Sequence, residues 1–337
     1  MDRDIEKVLK EAARTTTRVP NTEVILRRGR RRLWATRFGA GLLTVALVGG
    51  VGVSVDWPRF FHRSHARPGP TAGVGDDAGI VFGGVGDIER EDGAIFVIDP
   101  AREERRQIVD EPVGGEMAPV WSPDRTMIAF SMNVTPGEDP DTVDTNMEIF
   151  VVDAGGRDLR RLTYHPGLDT NPSWSPDGRR IAFTRFPDGS VRESGSDAAI
   201  WSIAVDGSSL RQLTDGPGLV DHPSWSPKGE IAFERYVAEE DTYDIFVMNA
   251  TGDDVRRLGP TPAGSNTQPA WSPDGLKIAF VNDVDQNRQG GDNVYVADIG
   301  NGTEATRVTA RPGSFHDVAW STDGGALALI RSVELEG

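Results

Sequence analysis

"WSPDGLKIAF", residues 271–280, is one of five versions of a single phrase in this chain. The others are WSPDRTMIAF from 121, WSPDGRRIAF from 174, WSPKGEIAF from 225 and WSTDGGALAL from 320. Successive tryptophans stand 53, 51, 46 and 49 residues apart, a period that belongs to solenoids, propellers and arrays. The middle of the phrase is turn chemistry: Pro pre-sets φ at the first turn position and Gly accepts positive φ later. A turn there divides the phrase into two antiparallel strands, one ending in Trp and one carrying Ile-Ala-Phe.

Each period holds two further phrases. An aromatic one reads AIFVID at 94, EIFVVD at 148, AIWSIAVD at 199, DIFVMN at 244 and NVYVAD at 293. A basic and apolar one follows as RRQIV at 105, LRRLT at 159, LRQLT at 210, VRRL at 255 and TRVT at 306. Runs rich in β-branched and aromatic residues, bounded by Gly, Pro, Asp and Asn, are strand signals. Every unit therefore holds four strands, A (ending in Trp), B (Ile-Ala-Phe), C (aromatic) and D (basic). Repeated four-stranded units of this length predict an all-β chain folded as a β-propeller, one blade per unit. Trp121, Trp174, Trp225, Trp271 and Trp320 are then the structural residues of the repeat, large enough to fill the wedge between neighbouring blades.

These phrases resemble the PD40 type of WD40-like repeat found in TolB-like propellers, over roughly residues 79–331. Departures are local: Arg125 replaces the turn Gly, Lys228 replaces the turn Asp, and Thr322 replaces the turn Pro. The small α/β domain that precedes the propeller in TolB has no counterpart in these phrases. Read from Ile80, the sequence gives B, C and D of a first unit, four full units and a final A and B, or 21 strands. That count leans to five blades, with the terminal A strand completing the first unit, whereas the resemblance favours six.

The 337 residues contain no cysteine, which removes disulfides, thiol nucleophiles and Cys-based zinc sites. The net charge of −16 conceals an asymmetry: residues 1–37 carry +6 and the remainder −22. An acidic main body argues against nucleic acid as a partner, since such binding draws on phosphate neutralisation. Residues 38–55, FGAGLLTVALVGGVGVSV, carry no charge and would span about 27 Å as a helix. Arg27, Arg28, Arg30, Arg31, Arg32 and Arg37 stand close before this run and Arg59, Arg63 and Arg67 close after it, so the positive-inside rule places the N-terminus in the cytoplasm.

The expected layout is a basic cytoplasmic tail (1–37), a transmembrane helix (38–56) set in the inner membrane through 38–55, a linker (57–78) and an extracytoplasmic propeller (79–337). Cleavage of the apolar run as a secretory signal is the competing reading, opposed by its long N-terminal preface. Ile5, Val8, Leu9 and Ala12 make one face of a short amphipathic helix, so residues 1–32 could dock on a cytoplasmic protein. This N-terminal arrangement resembles the tails of some anti-sigma-like membrane proteins.

No G-x-S-x-G elbow and no phosphate-binding glycine phrase occurs, and nothing demands a cofactor. The resemblance implies that the A–B and C–D turns share one face, and here they are short. The D–A and B–C loops share the other and are long and polar, as at 133–146, 186–197 and 281–292. Variable loops on a rigid scaffold usually carry function. Three residues before each Trp stand Ala118, Asn171, His222, Gln268 and Asp317, where strand A would enter the central channel. With Asp221 and His316 the polar ones form a candidate ligand-binding ring at the channel mouth. Its simplest role is to cap strand ends and hold water; His222, His316, Asp221 and Asp317 are the one plausible metal set.

The function expected is a non-catalytic module that binds a protein or a cell-envelope glycan on its loop-rich face. The resemblance adds one alternative, because some PD40-like propellers are lyases with a His-bound metal in the channel; His222 and His316 would serve. A transmembrane sensor with the tail as output is the other.

Overall fold

Ser and Asp of the repeated phrase build its turn. In the computed structural model, Ser175 Oγ donates to Asp177 Oδ1 at 2.7 Å and accepts the Arg180 N–H at 2.9 Å. The same pair of bonds joins Ser122 to Asp124 and Met127, Ser272 to Asp274 and Lys277, and Ser321 to Asp323 and Ala326. At 226, where Lys228 replaces Asp, Ser226 Oγ still accepts the Glu230 N–H at 3.0 Å. The turn therefore closes strand A onto strand B in every copy.

The structure describes residues 42–47, 50–55, 80–87, 92–99, 104–109, 117–134, 146–187, 197–215, 218–283, 291–300, 304–310, 314–321 and 323–332. Among these, the strands form six sheets. Blade one has three strands, Ile80–Asp87, Asp92–Asp99 and Glu104–Val109. Blade two runs A to D as Met117–Trp121, Met127–Asn133, Met147–Asp153 and Arg160–Arg161. Blade three is Leu168–Trp174, Arg180–Phe186, Ala199–Ala204 and Arg211–Gln212. Blade four is Val220–Trp225, Glu230–Val237, Thr242–Asn249 and Arg256–Arg257. Blade five is Ser265–Trp271, Lys277–Asp283, Asn293–Asp298 and Thr306–Arg307.

Blade six begins with the last A and B strands, Ser314–Trp320 and Ala326–Ser332. Its outer half is a hairpin from the other end of the chain, Leu42–Leu47 and Gly50–Val55, paired in the order Gly50–Val55, Leu42–Leu47, Ala326–Ser332, Ser314–Trp320. One expectation meets a different arrangement here. The terminal A strand does not complete blade one; it stays with its own B strand, and blade one has three strands among the described residues. The apolar run expected as a helix over 38–56 has strand structure at 42–47 and 50–55. Its β-branched residues Thr44, Val45, Val51, Val53 and Val55 favour strands. No helix among the described residues is long and apolar enough to cross a membrane.

The Ile-Ala-Phe run is the packing code between blades. Strand residues alternate faces, so Ile and Phe point to one side and Ala to the other. Ile181 and Phe183 of blade three join Ile149, Val151 and Leu162 of blade two, while Ala182 joins Ile231 and Phe233 of blade four. Ile278 and Phe280 likewise meet Ile245 and Val247 of blade four, and Ala279 meets Leu327 and Leu329 of blade six. Each blade thus presents a bulky face backwards and a thin face forwards, which fills the gap between twisted sheets at crystal-like density. The tryptophans belong to this seam: Trp174 is buried and its indole N–H donates to the Val120 carbonyl of blade two at 3.1 Å. Trp320 does the same to Ala270 at 3.0 Å.

A second seam runs around the short-turn face. Arg106 of blade one donates to the Ala154 carbonyl in the C–D turn of blade two at 2.8 Å. Arg160 reaches Val205 of blade three at 3.4 Å, and Arg211 reaches Thr251 of blade four at 3.0 Å. Beneath two of these bonds the turn glycines touch the preceding blade. A Cβ on Gly156 would stand 2.5 Å from the Ile108 carbonyl oxygen, and one on Gly252 would stand 2.1 Å from that of Leu213. The basic character of strand D therefore serves inter-blade stitching.

Candidate functional site at the channel mouth

Strand A is the innermost strand of its sheet, and successive A strands lie side by side. Each is interrupted by a bulge: pairing with strand B skips between Met117 and Val120, Thr170 and Ser173, Asp221 and Ser224, Thr267 and Ala270, and His316 and Val318. Four of the residues three before Trp adopt the left-handed conformation within it, Ala118, Asn171, His222 and Gln268, at φ 50–53°. Non-glycine residues rarely do so, and Asn and His tolerate it better than most. A bulge re-aims side chains, which is why these positions form a ring and do not simply continue the alternation of the strand.

Of the six residues expected in the ring, four converge on blade four. Asn171 Nδ2 of blade three donates to Asp221 Oδ1 at 2.8 Å. The His222 N–H donates to the same oxygen at 2.7 Å. His222 Nδ1 lies 3.5 Å from Asp221 Oδ2 and 3.1 Å from Glu234 Oε2. The Gln268 N–H of blade five donates to Glu234 Oε2 at 2.9 Å. The other two, His316 and Asp317, lie in strand A of blade six, where only the backbone falls within the described residues.

Glu234 is the member that sequence reasoning missed. It sits in strand B directly opposite Asp221 and is fully buried. Like charges facing each other across a ladder are unfavourable, and buried carboxylates need compensation. The imidazole between them, the backbone N–H groups and Asn171 contribute to it. Asp221, His222 and Glu234 bring one ligand atom each within 4.8 Å of one another, a mixed nitrogen and oxygen set of the kind that suits a transition metal. Glu234 thus joins Asp221 and His222 of the metal set suggested by the sequence; the side chains of His316 and Asp317 lie outside the described residues. One signal was available: the residue after Ile-Ala-Phe is Ser131, Thr184 and Val281 in other blades but Glu in blade four.

Among the described residues, the other buried carboxylates of the loop-rich face are paired. Asp169 takes a bidentate bond from Arg185. Glu148 accepts from Arg161, Thr163 and the His165 N–H. Asp244 accepts from Arg257, Thr261 and Asn266. The loops at 133–146, 186–197 and 281–292 lie largely outside the described residues.

The fold and this ring can be set beside known proteins. A protein TolB homolog of Chlorobium luteolum is 35% identical over 155 residues, 46% of this chain and 32% of that protein. A Tol-Pal system protein TolB of Nitratidesulfovibrio vulgaris is 29% identical over 144 residues, 43% of this chain and 29% of that protein. The chain spans less than half the length of the curated relatives it matches. Among solved structures, one assigned to TolB in Agrobacterium tumefaciens superposes with a TM-score of 0.61 at 18% identity, covering 88% of this chain and 99% of that one; at that identity the likeness is one of fold. The TolB β-propeller domain profile, PD40, matches residues 86–231 and 190–335, so together with the six-sheet architecture it establishes that this chain belongs to the PD40 TolB β-propeller family.

Proposed function

We propose that this chain is a non-catalytic, extracytoplasmic binding module that holds a protein or a cell-envelope glycan on its loop-rich face. The observation that carries the reading is the difference between the two faces. Short turns on one are used up by Ser–Asp bonds, arginine-to-carbonyl bonds and glycine contacts between blades. The other presents the bulge ring and is the face to which the sequence assigns the long polar loops. The TolB relative of Nitratidesulfovibrio vulgaris is a Tol-Pal system protein, and a partner in an envelope assembly of that kind fits a propeller that offers one face. Photo-cross-linking residues placed in the 186–197 loop and in the 250–253 turn test this in intact cells. Adducts should form from the loop alone; equal labelling from both positions would remove the reading.

Two uses of the apolar run bear on where the module works. Pairing in blade six and spanning a membrane are mutually exclusive for residues 42–55. The membrane alternative would leave residues 1–37 in the cytoplasm, and protease added to spheroplasts would then spare the arginine-rich tail while digesting the propeller.

A second reading, cation-dependent lyase chemistry, is favoured by Asp221, His222 and Glu234 alone. These residues fit a divalent ion by donor type, and such an ion would polarise an oxygen of the substrate. Metal content of the purified chain, before and after Glu234→Gln, decides it. Stoichiometric metal that is lost in the variant supports the reading, and its absence in both rejects it.

A further inference from the structure

Strands B of blades three and four carry an arginine at the same place, Arg185 and Arg235. Their registers coincide: Arg185 faces position 169 of strand A, and Arg235 faces position 220. Both guanidinium groups lie over the Phe of Ile-Ala-Phe and over its cross-strand aromatic partner. For Arg185 the distances to the ring centroids are 5.5 Å to Phe183 and 4.9 Å to Trp201. For Arg235 they are 5.7 Å to Phe233 and 5.3 Å to Phe246. Such stacking holds the planar fork in a fixed orientation.

The blades differ in what faces the fork. In blade three, Arg185 Nε and Nη2 donate to Asp169 Oδ1 and Oδ2 at 2.7 and 2.6 Å. Blade five fills the same pair of positions with Asn266 and Asn282, bonded to each other at 3.0 Å. Blade four has Val220 there, and among the described residues no carboxylate bonds to Arg235. Burial pulls Arg235 below its ordinary value. A cleft of about 40 Å³ opens beside Val220 and Arg235, lined also by Ala198, Thr214, Gly218 and Tyr236, with exposed Asp215 among its walls. The Tyr236 hydroxyl is engaged by Asp241, which leaves Arg235 as the donor with no bonded anion among the described residues. Space on this scale accepts a group slightly larger than a water molecule, and a planar guanidinium prefers the two oxygens of a carboxylate.

We propose that the cleft at Arg235 is a carboxylate-recognition site, in which a carboxylate of a peptide ligand takes the place that Asp169 holds beside Arg185. The cleft lies where strand B and the D–A loop reach the loop-rich face, so the proposal deepens the binding-module reading and rests on it. It gives that face an anchor for one chemical class, an acidic side chain or a chain terminus. The template for the geometry is inside the molecule, one blade away.

The Nε–H resonances of ¹⁵N-arginine-labelled protein, titrated with sodium acetate and with acetamide in a constant chloride background, test it. The Arg235 resonance should move saturably with acetate and not with acetamide, while that of Arg185 stays fixed. Val220→Asp places the missing carboxylate in the chain and should abolish the acetate response without lowering thermal stability. Two short peptides then identify the source: one with a free C-terminus and no acidic side chain, the other amidated and carrying one Glu. Whichever binds should lose about tenfold or more in affinity on Arg235→Gln, as expected for a charged bidentate contact. Equal responses to acetate and acetamide, or an acetate response that survives Val220→Asp, would overturn the proposal. Such failure leaves the cross-linking result on the loop-rich face untouched, so the two readings fall separately.

Discussion

Arg125 stands at φ 58° in the turn where the other copies place Gly178, Gly229, Gly275 and Gly324 at φ 63–91°. Left-handed backbone costs a residue with a Cβ about 1–2 kcal/mol, and the gain from relieving it is reduced by the freedom glycine adds to the unfolded chain. Arg125→Gly should therefore stabilise the protein by about 0.5–1 kcal/mol, read as a higher urea midpoint at unchanged slope. The aspartates of the same turns give a pH dependence. Hydrogen bonds from Ser122, Ser175, Ser272 and Ser321, the leading cause in each, hold Asp124, Asp177, Asp274 and Asp323 below the ordinary carboxyl range. A carboxyl with a lowered folded-state value contributes stability above the unfolded value of about 3.9, and that contribution fades as pH falls through the folded value. The slope of unfolding free energy against pH between about 5 and 3 should be shallower in Ser175→Ala than in the parent. An identical slope would mean that the Ser–Asp bond does not act on the carboxyl. Single residues in the repeat were legible because turn chemistry is local; Glu234 was not, since its meaning depends on Asp221 in another strand.

Strand B owes its role to alternation, with Ile and Phe filling the seam behind and Ala leaving room ahead. Trp174 closes that seam from strand A, and Trp174→Ala should cost about 3–5 kcal/mol in equilibrium unfolding; a loss well below 1 kcal/mol would place the ring outside the packed seam. The outer seam has its own test. Gly207 and Gly252 both hold positive φ, at 85° and 91°, but a Cβ on Gly207 meets nothing within 4 Å whereas one on Gly252 would overlap the Leu213 carbonyl. Both alanine variants suffer the conformational penalty, and only Gly252→Ala must push blade four away from blade three. Its destabilisation should exceed that of Gly207→Ala by about 1–3 kcal/mol, measured side by side in urea. The strands and their order within a blade were readable from the phrases. The stitching by Arg106, Arg160 and Arg211 was not, because a basic edge strand looks the same whether its arginines face solvent or a neighbouring turn.

At the scale of the whole molecule, the hairpin at 42–55 lies on Ala326–Ser332, with Leu43 opposite Ile330 and Val45 opposite Ala328. A chain begun at residue 57 would leave blade six as two strands with an open edge, which is marginal for a sheet. It should unfold at a lower denaturant concentration than the full chain and lose two-state behaviour at blade six, seen as earlier hydrogen exchange in 314–332. Unchanged protection there would mean that the hairpin does not support blade six. The sequence by itself determined the repeat, the four strands of each unit, the turn that joins A to B and the alternation that packs blades, because each is written within about fifty consecutive residues as propensity, turn chemistry and period. Only the tertiary structure decided that the last A and B strands recruit a hairpin from nearly three hundred residues earlier, that Glu234 faces Asp221 beside His222, and that Arg235 lacks the carboxylate its counterpart has. These depend on which strands become neighbours and in what register, and pairing between distant segments leaves no periodic mark in either one.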